Sequence, residues 1–216
     1  MCDCASSMPG NPVARRTRAA DVLPSESGVS LIIVLILLVI ISLLGVGAAQ
    51  ISLMGERGTR NERDLQMAWQ GAEAALMDAE FDMRGPGTAN RSSVFTKDDS
   101  SAFVAGSCGT SGNSKGLCDP STVTGKPLWL STDLAADDPP AALYGAFTGR
   151  AFTAGADGLQ PAKKPRYMIE VLPDREAFGN ASGGASKKFV YRVTAMGFGP
   201  RADIQAVTQM LFRKEK

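Results

Sequence analysis

The chain contains no histidine among its 216 residues. That removes the commonest general base and the commonest metal ligand together. It also lacks an excess of charge of either sign: 23 Lys+Arg stand against 22 Asp+Glu, so bulk electrostatics gives no reason to expect a nucleic acid. The densest basic spots, Lys187-Lys188 and the tail Arg213-Lys214-Glu215-Lys216, read as solvated surface. Only four cysteines occur. Cys2 and Cys4 form a Cys-x-Cys with no His and no second Cys pair near it, so a metal site is not expected there. The length suits one soluble domain plus extra segments rather than two full domains.

Without histidine, the motifs that resemble catalytic signatures fail one by one. Gly112-Asn113-Ser114-Lys115-Gly116 fits the nucleophile elbow, but that motif needs a preceding strand, a following helix and a His base. Gly197-Phe198-Gly199 is a lone Gly-x-Gly at a turn. Asp98-Asp99 and Asp137-Asp138 lack the spacing of a calcium loop and read as solvated charges. Asn180-Ala181-Ser182 fits a glycosylation acceptor, a pattern that arises often by chance. The expectation is a protein that is not an enzyme, with no catalytic residue, metal or cofactor.

What is present is an apolar run of bilayer length. Val29 to Ala49 carries no charge and only Ser30 and Ser42 as polar interruptions. As a helix it spans about 30 Å, the thickness of a hydrocarbon core. Arg15, Arg16 and Arg18 precede it, whereas Glu56, Arg57, Arg60, Glu62, Arg63 and Asp64 nearly cancel after it. The positive-inside rule then puts the N-terminus in the cytoplasm and everything after Ala49 outside. A secretory signal peptide is the competing reading, with "VGAA" (Val46 to Ala49) offering small residues, but the run is too long for it.

The helical pattern does not stop at the lipid boundary. Leu65, Ala68, Ala72, Ala75 or Leu76, Ala79 and Met83 recur along one stripe. Glu56 with Arg60, and Arg60 with Asp64, are spaced to pair on the exposed face. Gly85-Pro86-Gly87 ends the helix. Val29 to Arg84 thus predicts one helix of about 80 Å, with a bilayer half and an amphipathic half. Gly45, Gly47, Gly55 and Gly58 mark places where it is weakest.

Beyond the helix, residues 88–162 are rich in Gly, Ser, Thr, Ala and Asp and read as a long loop, with "KPLWLST" (Lys126 to Thr132) as the one expected strand. Cys108 and Cys118 enclose "GTSGNSKGL", and a disulfide closing so short a loop is sterically easy, two free thiols being the alternative. A persisting disulfide implies an oxidising compartment. "RYMIEVLP", "KFVYRVTAM" and "DIQAVTQMLFR" alternate apolar and polar residues, and "GFGPRA" suits the turn between the last two. The fold class expected is α+β: a long helical spine packed on a small antiparallel sheet, with a disulfide-bearing loop.

A short basic leader, Gly28 directly before the apolar run, and a helix with two such halves resemble a type IV prepilin. Within that superfamily the chain is most similar to minor pilins of the PilX type. The residues that carry this run from Gly28 to Glu80, with "AWQGAEAAL" at their centre, together with "YMIEVL", "YRVTAMGFG" and the "GLC" loop. The resemblance implies cleavage between Gly28 and Val29 by a prepilin peptidase and N-methylation of Val29. It divides the chain into a leader (1–28), a transmembrane half-helix (29–49), an amphipathic half-helix (50–84) and an exported domain (85–216). Ala68, Trp69, Ala72, Leu76 and Ala79 are the expected helix-packing residues. Most pilins carry a Glu five residues after the cut; Ile33 stands there in this chain. The absence argues for a low-copy subunit.

The partners implied are other minor and major pilins, the prepilin peptidase, the inner-membrane assembly machinery, and membrane lipid before assembly. The function implied is pilus initiation or priming near the filament tip, supporting motility, adhesion or aggregation. A type II secretion pseudopilin and an anchored periplasmic binding domain that joins no filament are the alternatives.

Overall fold

The computed structural model describes residues 28–85, 91–153, 158–174 and 188–214. Two compact units divide it, one ending at Ser52 and one beginning at Leu53. Asn180-Ala181-Ser182, Lys187 and the last two residues of the basic tail lie outside the described residues.

In the first unit, helix α1 starts at Val29 and continues without interruption past Gly45 and Gly47; the whole helix spans Val29–Arg84. Its apolar side chains from Val29 to Ile51 are exposed. Ser42 does not weaken the helix in an apolar setting, because its hydroxyl donates to the Leu38 carbonyl at 2.7 Å. This stretch is long and apolar enough to cross a membrane.

In the second unit α1 turns polar after Leu53 and Met54. It continues through Gly55 and Gly58, and Arg60 pairs with Glu56 at 2.5 Å. Asp64 takes Arg63 at 3.5 Å rather than Arg60. The buried stripe then begins: Ala68, Gly71, Ala72, Ala75, Asp78, Ala79, Asp82 and Met83. Arg84 is the last helical residue because Gly85 adopts φ 69° and returns its N–H to the Phe81 carbonyl at 2.9 Å, a left-handed stop that favours glycine.

Six strands form one sheet: β1 (Val104–Ala105), β2 (Leu117–Asp119), β3 (Ala142–Leu143), β4 (Arg166–Pro173), β5 (Phe189–Phe198) and β6 (Gln205–Phe212). The expected meander is present as β4–β5–β6, antiparallel throughout, with Tyr167 opposite Ala195 and Tyr191 opposite Phe212. The sheet as a whole is mixed, however, not antiparallel. β1 and β2 pair in parallel, β2 joins β4 in parallel through Leu117 opposite Ile169, and β3 joins β4 antiparallel.

Two expectations for residues 88–162 need correction. The segment is not simply a loop: it contributes the three short strands that complete the sheet. "KPLWLST" is not a strand either, since Leu128–Ser131 forms one helical turn, α2. The Pro127 carbonyl accepts from the N–H groups of Leu130 and Ser131, both at 3.0 Å. That turn directs Leu128 inward and leaves Leu130 exposed, whereas a strand would put both on one face.

Every residue of β4 from Arg166 to Val171 is buried, because layers cover both faces of the sheet. On one face, Tyr167, Ile169, Tyr191, Val193 and Ala195 pack with Ala75, Ala79 and Met83 of α1 and with Phe95 and Phe103. On the other, Met168 packs with Cys108, Cys118, Leu128, Leu134 and Ala141. The disulfide loop and α2 therefore form a third layer of the domain.

Candidate functional site

The surface on which α1 lies is shaped by missing side chains. A Cβ on Gly197 of β5 would fall 2.1 Å from the Ala68 carbonyl oxygen and 2.3 Å from the Ala72 nitrogen. On the helix side, a Cβ on Gly71 would sit 3.4 Å from the Gly197 Cα. Helix backbone and strand backbone thus meet almost directly. Small residues at Ala68, Ala72, Ala75 and Ala79, all fully buried, extend the contact. Towards Met83 the space is filled by aromatic rings instead: Phe95 meets Tyr191 edge-on at 5.3 Å, and Phe103 stacks on Tyr191 at 5.7 Å.

A polar clamp interrupts this apolar face. Asp82, fully buried on α1, is held by the Arg91 guanidinium, with Nη2 at 2.5 Å and Nε at 3.0 Å from Oδ2, and by the Arg91 backbone N–H at 3.0 Å. The Tyr167 hydroxyl donates to the same carboxylate at 3.0 Å. Arg91 Nη1 then reaches the disulfide loop, donating to the carbonyls of Asn113 at 2.9 Å and Lys115 at 2.8 Å. Its Cζ lies 3.5 Å from the centre of the Phe147 ring. Asp82 and Arg91 together therefore tie helix, sheet and disulfide loop. Burial, with the Asp82 charge beside it, pushes the Tyr167 phenol far above its ordinary range, so it remains a donor.

One turn earlier, Asp78 accepts from the Gly145 N–H at 2.8 Å and the Thr148 hydroxyl at 2.5 Å, with Arg150 at 3.9 Å. Burial raises its carboxyl above the usual range, while the Thr148 and Gly145 bonds oppose the rise. Burial likewise pushes Tyr191 up to about 12, and its hydroxyl donates to the Thr96 carbonyl. On the opposite face of the sheet, Glu170 is fully buried and paired with Arg192 at 2.7 Å, and Arg192 lies 5.9 Å from the Trp129 ring. These contacts hold elements in place. Among the described residues no group of His, Cys, Asp or Glu is arranged to hold a metal.

The residues singled out from sequence fall as follows. Cys108 and Cys118 form a disulfide, and Cys118 lies within β2. It closes a loop containing the short 3-10 turn Gly112–Ser114, so the apparent nucleophile elbow has no strand-to-helix context. Asp137 pairs with Lys163 at 2.8 Å and Asp138 with Lys115 at 2.6 Å; Asp99 accepts from the Ser101 N–H at 2.8 Å. Gly28 is exposed just before α1, and Ile33 is exposed within it. Ala68, Ala72 and Ala79 are buried and Leu76 partly so, but Trp69 faces outward and is 44% exposed. The clamp was not foreseen. Its signal was two aspartates, Asp78 and Asp82, four apart within an alanine stripe, where burial requires partners.

A helix with an apolar membrane-length start and a small-residue stripe docked on a sheet defines an anchored α+β protein built on a spine. The type IV pilus assembly PilX C-terminal family matches residues 89–214, and the PilX N-terminal family matches residues 27–76. The chain belongs to the PilX family of type IV pilus assembly proteins, and its class is that of a minor pilin. No curated protein and no solved structure matches it.

Proposed function

We propose that the protein is a structural minor pilin that helps initiate or prime a type IV pilus from the inner membrane. The observation that carries this reading is the shape of α1. It begins at Val29 directly after Gly28, presents apolar side chains on all sides through Met54, and then seats a domain on its alanine stripe. The same apolar surface suits lipid before assembly and the helices of other pilins, minor and major, afterwards. Residues 1–28 act as a cytoplasmic leader, residues 29–49 span the membrane, and the domain lies on the periplasmic side, where its disulfide forms. The filament position is near the tip, and motility, adhesion or aggregation follow from the filament.

Ile33 supports a low-copy role. An apolar residue there cannot offer a carboxylate to a neighbour's terminal amine within a packed apolar core, where an unpaired charge is costly.

The test is N-terminal mass spectrometry of the protein extracted from membranes. The expected polypeptide begins at Val29, carries one N-methyl group and has lost Met1 to Gly28. An intact leader, or a start near Ala49, is incompatible with this reading. Gly28→Trp should leave the leader attached.

A further inference from the structure

Among the described residues the sheet ends at β6, an edge without a partner strand. Among the described residues β6 pairs only with β5, and the register from Tyr191 opposite Phe212 to Phe198 opposite Gln205 runs without a bulge. Its eight residues, "QAVTQMLF", include no charge, no proline and no glycine. Natural edge strands are usually blunted by one of those devices, because an open edge presents a row of unpaired backbone groups. This edge has none of them. On its outer side Val207 is 43% and Leu211 72% exposed. On its inner side the Thr208 hydroxyl is buried without a partner.

One flank of α1 borders this edge. Arg84 lies 5.2 Å from the Phe212 ring, and Leu76 and Met210 are both partly buried against the same core. At about 100° per residue, Trp69, Glu73, Leu76, Glu80 and Arg84 share that flank. Glu80 is paired with Arg84 at 2.9 Å, but Glu73 makes no ion pair among the described residues. Among the described residues, Trp69 and Leu76 thus lie on the flank beside this strand, with Glu73 between them outside any ion pair.

We propose that β6 is an acceptor edge for an extended segment of another exported protein, which adds antiparallel as a further strand. The guest it fits is β-branched and uncharged along its length except for one cationic side chain on its inward face close to Glu73. Backbone hydrogen bonds supply the affinity, and alternate side chains supply the choice of partner. Outward side chains meet Val207 and Leu211. This goes beyond the filament role and rests on that reading only in taking the domain to be exported.

The test uses the full chain in detergent micelles and the peptide Thr-Val-Thr-Val-Thr-Val-Lys-Val, read by hydrogen exchange at β6. Amides facing the free edge should exchange about tenfold more slowly at a peptide concentration about ten times Kd. Val207→Lys with Leu211→Lys should abolish that protection while β5 amides keep theirs, showing that the domain is still folded. Glu73→Lys should weaken it, and a peptide with Glu in place of Lys should restore it to that variant. The proposal is overturned if the peptide gives no protection, or if protection is indifferent to these substitutions. It is equally overturned if the edge amides are already protected without peptide, because the chain itself or a second copy then occupies the edge.

Discussion

Arg91→Ala is expected to destabilise the folded domain by about 3–5 kcal/mol, a large part of the stability of a domain this size. The loss exceeds that of an ordinary surface ion pair because Asp82 is fully buried and would be left there without its counter-ion. The carbonyls of Asn113 and Lys115 would also lose their donor, so the disulfide loop would be freed from the helix. Arg91→Lys should recover only part of the loss. A lysine ammonium lacks the planar fork that bonds the carboxylate and both carbonyls at once. Replacing the pair together, as Asp82→Met with Arg91→Met, should cost less than Arg91→Ala alone, since no charge is then stranded. Urea unfolding of the full chain in detergent, extrapolated to water, measures each value. A loss under about 1 kcal/mol for Arg91→Ala, the range of an exposed pair, would show that the clamp is not closed as described.

Adding one methyl group at Gly197 should cost about 3 kcal/mol, the upper end of the range for overpacking. The atoms it would strike, the Ala68 oxygen and the Ala72 nitrogen, are helix backbone and cannot turn aside as a side chain does. Relief requires α1 to lift from β5, and that would open the alanine stripe along its length. Gly71→Ala on the facing element is the control. Its methyl meets Gly197 and the Pro165 ring at 3.4 Å, an ordinary contact, and alanine gains up to about 1 kcal/mol in a helix. The expected outcome is a pair of mutations of the same chemistry, on opposite sides of one contact, with very different costs. Equal effects would mean that the helix does not rest on Gly197.

Much of this architecture is legible in the sequence where a period is long. The helix Val29–Arg84 shows as a charge-free run followed by an alanine stripe, and its end shows as a glycine. β4, β5 and β6 show as alternation sustained over eight or more residues each. What escaped was short or non-local. The two residues of β1 and the three of β2 carry no period, and their parallel pairing is set by the disulfide loop folding across β4. α2 is one turn fixed by Pro127 and by the burial of Leu128, against a β-like local composition. The Asp82–Arg91 clamp joins residues across a helix terminus, and the Tyr167 contribution comes from far along the chain. Trp69 illustrates the limit of periodicity: at about 110° from the centre of the buried stripe, it lies beyond the stripe's margin and turns outward.

Pilus number per cell in the native host tests the central claim most directly, comparing a strain that lacks the gene with the same strain carrying the full chain. Loss of the protein should sharply reduce surface pili. The full chain should restore them, and the Gly28→Trp chain, which keeps its leader, should not. An unchanged pilus number in the strain without the gene would contradict the role in pilus initiation and leave an anchored domain that serves some other assembly.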